Sequence, residues 1–127
     1  DYDREFYESR IRDFVPDRVI DIHTHCWLEE FRIDDGDAPR RAASWPHLVA
    51  AQNPVEDLAE TFELLLPGKR CGAAIFGYPD RMYDVDASND YIAGNAGRLG
   101  FDPLLLSRPE WSAAEFRARL MRLRFPV

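Results

Sequence analysis

Three short strand-like segments, which alternate along the chain with stretches of helical periodicity, constrain the fold of this chain more than any other feature. They span residues 18–23, 71–77 and 102–107. The first is rich in β-branched residues, the second is small and apolar, and the third is centred on Pro103-Leu104-Leu105-Leu106, so each favours a strand. Short strands that alternate with helices pair in parallel through crossovers, and the sequence therefore predicts an α/β fold.

Four helices are predicted from apolar stripes and from residues that start or stop a helix. In chain order the signals are residues 3–14 before Pro16, the N-cap Asn53 with the capping-box residue Glu56, residues 86–99 before Gly100, and the capping box of Ser112 and Glu115. The predicted buried stripes are Tyr7, Ile11 and Phe14; Leu58, Phe62 and Leu65; Ile92, Ala96 and Leu99; and Phe116, Leu120 and Leu123.

The length and charge of the chain limit its partners. A chain of 127 residues is enough for one compact domain, so residues 1–127 are predicted to form a single domain. Its net charge of -7 would repel nucleic acid and anionic membrane surfaces. No apolar run approaches the roughly 20 residues of a membrane span. Cys26 and Cys71 are too few for a disulfide scaffold and are predicted to be reduced and buried, so a cytoplasmic location is the default expectation.

The stretch from Val19 to Trp27 carries the chemistry that the sequence predicts. Side chains alternate between the two faces of a strand, so Asp21, His23 and His25 would point the same way. Two imidazoles at the end of a strand can bind one metal ion, and zinc accepts imidazole nitrogens at about 2.0–2.1 Å. Asp21 would orient a ligand through an outer hydrogen bond or close the floor of a barrel. A His-x-His pair also arises by chance in proteins that bind no metal, and spacing alone leaves that alternative open.

The segment Asp21-Ile22-His23-Thr24-His25 resembles the first-strand signature Asp-x-His-x-His of the amidohydrolase superfamily. It is most similar to the amidohydrolase-related branch, which includes metal-dependent hydrolases and some decarboxylases. Residues 14–18, 76–79 and 107–111 fit the same picture, although only the His-x-His segment is specific. The resemblance implies a partial (β/α)8 TIM barrel, about the first three βα units preceded by an N-terminal helix. It also implies that His23 and His25 bind a divalent metal ion, namely zinc, with manganese or iron as alternatives.

The activity that the resemblance implies is hydrolysis of a small-molecule substrate, in which metal-activated water attacks an amide, ester or lactone carbonyl. A close variant of the same site decarboxylates an aromatic acid. The family's other ligands and its catalytic aspartate are expected on the fourth, fifth, sixth and eighth strands of a barrel of about 250 residues, beyond Val127. No catalytic residue is therefore assigned. His47 is predicted to be a surface or cap histidine rather than a third ligand.

Substrate-binding residues are expected in the loops at the carboxyl ends of the strands, where barrel enzymes bind their substrates. Trp27 and Trp45 could form an apolar wall or could pack the long loop predicted over residues 26–47 onto the barrel. Tyr78 follows the second strand and Arg108 the third. Arg108 could bind a substrate carboxylate through two N–H groups, or could join two loops by pairing with an acidic residue. The acidic residues that could pair with it are Glu110 and Asp80.

Two interpretations without catalysis stay open. The chain could be a truncated, non-catalytic fragment, or a small α/β binding or assembly domain in which the histidine pair is incidental. Three parallel strands leave two open sheet edges, and such edges pair readily with other chains. A homo-oligomer that covers these edges is therefore among the expected partners.

Overall fold

The computed structural model describes residues 2–33 and 49–123 of the chain. The described residues form four α-helices and three strands. In chain order these are α1 (Tyr2–Phe6), β1 (Arg18–His25), α2 (Val55–Leu65), β2 (Arg70–Phe76), α3 (Val85–Asn95), β3 (Asp102–Pro103) and α4 (Ala113–Leu123). A π-helical turn (Tyr7–Ile11) continues α1, and 3-10 turns follow β1 (Glu29–Phe31) and α3 (Ala96–Leu99). None of the described helices is long and apolar enough to span a membrane.

The three strands form one parallel sheet in the order β1-β2-β3. The pairing of β1 with β2 runs from Arg18 opposite Arg70 to His25 opposite Phe76. Each connection between consecutive strands contains a helix, α2 or α3, as parallel pairing requires. The predicted α/β class and the predicted parallel pairing are confirmed.

The third strand is shorter than predicted: it comprises Asp102 and Pro103, which lie opposite Ala74 and Ile75 of β2, and the Leu104 N–H still donates to the Ile75 carbonyl at 2.8 Å. Farther along, the backbone of Leu106 is bound by the side chain of Asn89 on α3. The Leu106 N–H donates to Asn89 Oδ1 at 3.0 Å, and Asn89 Nδ2 donates to the Leu106 carbonyl at 2.9 Å. A buried amide from a helix thus takes the place of strand pairing, and the predicted strand over residues 102–107 is wrong beyond Pro103.

The hydrophobic core lies on one face of the sheet. Ala73 and Ile75 of β2 are buried, whereas the residues that alternate with them are only half-buried. The other members of this core are Cys26, Val55, Leu58, Ile92, Ala96 and Phe101. Because each fully buried aliphatic side chain contributes about 1.5–3 kcal/mol, this layer holds the helices on the sheet. On β1, by contrast, Ile20 and Ile22 are 50% and 78% exposed.

The predicted end of α3 and start of α4 are confirmed. Gly100 has a φ of 74° directly after Ala96–Leu99, a left-handed conformation that glycine adopts without steric cost. Ser112 and Glu115 form the predicted capping box: the Ser112 N–H donates to Glu115 Oε2 at 2.8 Å, and the Glu115 N–H donates to Ser112 Oγ at 3.3 Å. Local sequence signals therefore suffice where both partners lie within one turn of helix.

The predicted start of α2 is wrong. The first helical residue is Val55, and Asn53 does not cap the helix. The Val55 N–H donates to the hydroxyl group of Tyr91 at 2.9 Å, so the cap comes from α3. The predicted buried stripes are also wrong at one end of three helices, where Phe14, Leu65 and Phe116 are exposed. Phe14 leaves the stripe because the helical turns end at Ile11.

Candidate metal site

A β-bulge near the end of β1 sets the directions of the candidate ligands. Asp21 pairs with Ala73 and Thr24 pairs with Ile75, so three steps along β1 match two steps along β2. One extra residue in β1 therefore interrupts the strict alternation of side chains. Paired residues of a parallel sheet project from the same face, which places Asp21 on the core face with Ala73. The prediction that Asp21 points the same way as both histidines is wrong.

His23 and His25 lie together on the open face of the sheet. Their ring centroids are 5.1 Å apart and the ring planes are nearly perpendicular, at 85°. Both rings contact Phe76, with centroid distances of 5.0 Å and 4.3 Å respectively. His23 is exposed and His25 is half-buried. The structure thus brings the two predicted ligands into one place, at the carboxyl end of β1.

Asp21 supports this arrangement through the backbone. Its Oδ1 accepts a hydrogen bond from the backbone N–H of His23 at 2.9 Å. This N–H lies within the bulge, where regular pairing with β2 is interrupted. Asp21 therefore stabilises the bulge beside one candidate ligand, and this hydrogen bond is made to the main chain rather than to an imidazole.

The orientation of the His25 ring is fixed by Gly77. The Nδ1 atom of His25 lies 3.0 Å from the Gly77 carbonyl oxygen, which can only accept a hydrogen bond. Nδ1 therefore carries the hydrogen, and Nε2 of the neutral ring keeps the lone pair. Burial lowers the pKa of His25; the hydrogen bond to Gly77 opposes this decrease and the neighbouring His23 adds to it. A neutral imidazole held in this way by a carbonyl is the form that binds metal ions.

Gly77 has a second structural role besides accepting the hydrogen bond from His25. A Cβ atom at this position would lie 2.8 Å from the Cβ atom of Ser88 on α3. Only glycine permits this close packing of α3 against the end of β2, which in turn determines where the Gly77 carbonyl lies. The apolar pattern of residues 71–77 predicts a strand that includes Gly77 and does not reveal this role, although a glycine at the end of a strand often indicates a close approach.

Asn53 contacts the end of β1 on the edge that faces away from β2. Its Nδ2 donates to the His25 carbonyl at 2.9 Å. Its backbone N–H and carbonyl pair with the carbonyl and N–H of Trp27, at 2.8 Å and 3.0 Å. The sequence does not predict this contact, because Asn53 and His25 are 28 positions apart and no local pattern connects them.

Three aromatic residues, Trp27, Tyr78 and Tyr83, form a buried cluster beside the histidines. The Tyr78 ring centroid is 5.9 Å from that of His25 and 5.5 Å from that of Trp27. The indole N–H of Trp27 donates to the Ala51 carbonyl at 3.1 Å, which supports its predicted packing role in the loop. Its role in a substrate wall stays a prediction, and its predicted partner Trp45 lies outside the described residues.

Burial raises the pKa values of nearby hydroxyl and thiol groups. Burial, with a smaller contribution from Asp80, raises the pKa of Tyr78. Burial is also the main reason that the pKa of Tyr83 rises to about 12. Cys26 is buried in the core, and burial together with Glu56 raises its pKa to about 12. Since a thiolate is the form that attacks substrates and binds metals, Cys26 is unsuited to either task near neutral pH.

Arg108 joins two loops through backbone carbonyls. Its Nη2 donates to the carbonyl of Asp80 at 2.9 Å and to that of Tyr83 at 3.1 Å. Arg108 therefore joins two loops, but through main-chain carbonyls and not through the predicted pairing with the carboxylate of Asp80 or Glu110. These contacts fix the loop that carries Tyr78, and the binding of a substrate carboxylate by Arg108 stays a prediction.

The two imidazoles fit two positions of a metal site, with nitrogen donors that suit zinc, iron or manganese. Within residues 2–33 and 49–123, no cluster of three or more histidine, cysteine, aspartate or glutamate residues could hold a metal ion. A third ligand would therefore come from elsewhere, and His47 lies outside the described residues. Comparisons of the chain with protein-family models, with curated proteins and with solved structures gave no match.

Proposed function

We propose that this chain contributes the first-strand ligands, His23 and His25, to the metal centre of an amidohydrolase-type metal-dependent hydrolase. The observation that carries the proposal is the hydrogen bond between His25 Nδ1 and the Gly77 carbonyl, which leaves Nε2 as the metal-binding atom. His23 adds a second imidazole in ring contact with the first. The pair lies at the carboxyl end of a strand in a parallel sheet, the usual position of active sites in α/β folds.

The two faces of the sheet support its assignment to part of a (β/α)8 barrel. In such barrels the helices cover the outer face, and side chains on the inner face fill the interior. Here the helix-covered core contains Ala73 and Ile75, whereas His25 and Phe76 project from the other face. The exposed side chains of Ile20 and Ile22 would fill the interior of a closed barrel. A longer parent chain or another copy would supply the remaining strands.

The chemistry that we propose is attack of water on an amide, ester or lactone carbonyl of a small-molecule substrate. When bound, a divalent ion, zinc or alternatively manganese or iron, supplies the Lewis acidity that polarises the carbonyl and activates water. His23 and His25 bind the ion, and Gly77 keeps the ring of His25 in place. Tyr78, which packs against Trp27, contacts the ring of His25 and would exclude water from that side of the pair. The residue that moves the proton of the attacking water is not assigned.

Elemental analysis of the chain, purified without chelator, tests this proposal. We expect near-stoichiometric zinc, manganese or iron per wild-type chain and none in the His23→Ala/His25→Ala double variant. The His47→Ala variant is the matched control for loss of any histidine, and it should keep the metal. A wild-type chain without metal contradicts the proposal. Loss of metal in His47→Ala would instead identify His47 as the third ligand.

A non-catalytic assembly domain is the second candidate, and the exposure of Ile20 and Ile22 favours it. Exposed isoleucines on a β-strand at a sheet edge are typical of surfaces that associate. Light scattering across a range of concentrations should then show oligomers, and Ile22→Lys should shift the equilibrium toward monomer. A wild-type chain that stays monomeric throughout would remove the support for this candidate.

A further inference from the structure

We propose that Asn53 is a positioning residue for His25, which it holds in the orientation required of a metal ligand. The expected effect on metal binding rests on the proposed function, whereas the orientation of the His25 ring can be measured without metal. Asn53 lies in the loop before α2; its side chain contacts His25 at the end of β1, and its main chain pairs with Trp27 just beyond the strand. It touches no reacting group, so its influence acts through the backbone of His25.

The direction of the backbone groups explains why an amide is needed at this point. The Cys26 N–H donates to the Phe76 carbonyl at 3.0 Å, toward β2. Backbone groups of successive residues in a strand point to opposite edges, so the His25 carbonyl points away from β2. β1 is the first strand of the sheet, and the described part of the chain pairs no strand with this outer edge. Asn53 Nδ2 supplies the missing donor at 2.9 Å.

Residues 51–53 of the loop are therefore hydrogen-bonded at several points to His25 and Trp27, at and just beyond the end of β1. Trp27 pairs with the backbone of Asn53 on both its N–H and its carbonyl, and its indole N–H donates to Ala51. His25 is thus held from both sides, by Gly77 on its ring and by Asn53 on its carbonyl. Loss of the Asn53 amide would leave a half-buried carbonyl without this donor, and the peptide group between His25 and Cys26 would then be held from the β2 side alone, by the hydrogen bond from the Cys26 N–H to Phe76. The ring would then leave the Gly77 carbonyl.

The first test uses nitrogen-15 NMR of the imidazole rings in the metal-free 127-residue chain, at a mildly alkaline pH. We expect wild-type His25 to show the tautomer with hydrogen on Nδ1. Asn53→Asp keeps the shape of the side chain but replaces the donor with an acceptor, so it should mix the tautomers. Asn95→Asp is the matched control, because Asn95 is also half-buried and donates from Nδ2 to a backbone carbonyl, that of Tyr91, at 2.8 Å. It should keep the wild-type spectrum of His25.

Zinc affinity, measured by competition with a chromophoric chelator, tests the consequence. We expect Asn53→Asp to bind zinc about tenfold more weakly or worse, the range typical for residues that support a ligand, and Asn95→Asp to match wild type. Asn53→Ala, which adds no charge, replaces Asn53→Asp in both experiments if that variant does not fold. A wild-type tautomer pattern in the folded Asn53 variant, or unchanged zinc affinity, overturns the inference. Absence of zinc binding by the wild-type chain counts against the proposed function, and the NMR comparison then decides the role of Asn53.

Discussion

The side chain of Asn89, which is fully buried, forms two hydrogen bonds with the backbone of Leu106, one as donor and one as acceptor. Asn89→Leu would leave both backbone groups of Leu106 without these partners. We expect a loss of about 2–4 kcal/mol in the free energy of unfolding, because each buried polar group left unpaired costs about 1–3 kcal/mol. Urea denaturation followed by circular dichroism measures this loss.

Asn95→Leu is the control for this substitution, since it removes a single hydrogen bond within α3. It should cost about 1 kcal/mol or less. Equal losses for the two variants would contradict the idea that Asn89 replaces strand pairing at Leu106.

The ion pair between Asp86 and Arg119 makes the packing of α4 on α3 dependent on pH. Arg119 Nε and Nη2 donate to the two oxygens of Asp86 at 2.7 Å and 2.9 Å, and these hydrogen bonds are the main reason that the pKa of Asp86 is lowered. A carboxyl whose pKa is lower in the folded state stabilises the fold above its usual pKa of about 4. This contribution is lost as the pH falls through the lowered, folded-state pKa.

Urea unfolding at a series of pH values should therefore show wild type more stable than Asp86→Asn near neutrality, with the difference shrinking below about pH 4. The same comparison in an Arg119→Gln background isolates the pair, and there the pH dependence should largely vanish. A constant difference between wild type and Asp86→Asn across this range would show that Asp86 acts by something other than its charge.

The close contact between Gly77 and Ser88 predicts that Gly77→Ala destabilises the chain. The new Cβ would lie 2.8 Å from the Ser88 Cβ, and overpacking of this kind costs about 1–3 kcal/mol. Thermal unfolding measures the effect, and Ser88→Gly should restore part of the loss. Gly94→Ala is the matched control because a Cβ there has no neighbour within 4 Å, and replacing a helical glycine should leave stability unchanged or raise it. Similar melting temperatures for wild type and Gly77→Ala would refute the packing argument.

The two cysteines are expected to differ in reactivity. Cys26 is buried with a pKa raised to about 12, whereas Cys71 is half-buried, and neither forms a disulfide. Iodoacetamide should therefore modify Cys71 first in the native chain and reach Cys26 only after denaturation, as followed by mass spectrometry. Cys71→Ser should remain almost unmodified until it unfolds. Equal labelling of both thiols in the native chain would mean that the core around Cys26 opens readily.

The features that depend on neighbours along the chain could be predicted from the sequence. The parallel α/β order, the capping box at Ser112 and the helix end at Gly100 all follow from short patterns, and the structure confirms them. The failures at Asn53 and in β3 share one cause. In each, a side-chain amide binds a backbone group that is distant in sequence, and local propensity carries no information about such pairs.

The position of the histidines was predicted only in part, for a related reason. Their place at the end of β1 follows from the β-branched residues before them, but a bulge depends on the register of two strands. The spacing of Asp21, His23 and His25 suggested one shared face, and the extra residue between Asp21 and Thr24 separates Asp21 from the pair.

That extra residue divides β1 into two halves of opposite phase. Ahead of the bulge, odd-numbered positions such as Val19 face the helices; beyond it, even-numbered positions such as Thr24 do. In a scan of single substitutions along β1, every second position should therefore be sensitive to substitution, and this alternation should shift by one residue at the bulge. The length of this segment, and not its composition alone, thus encodes the side of the sheet from which His25 projects.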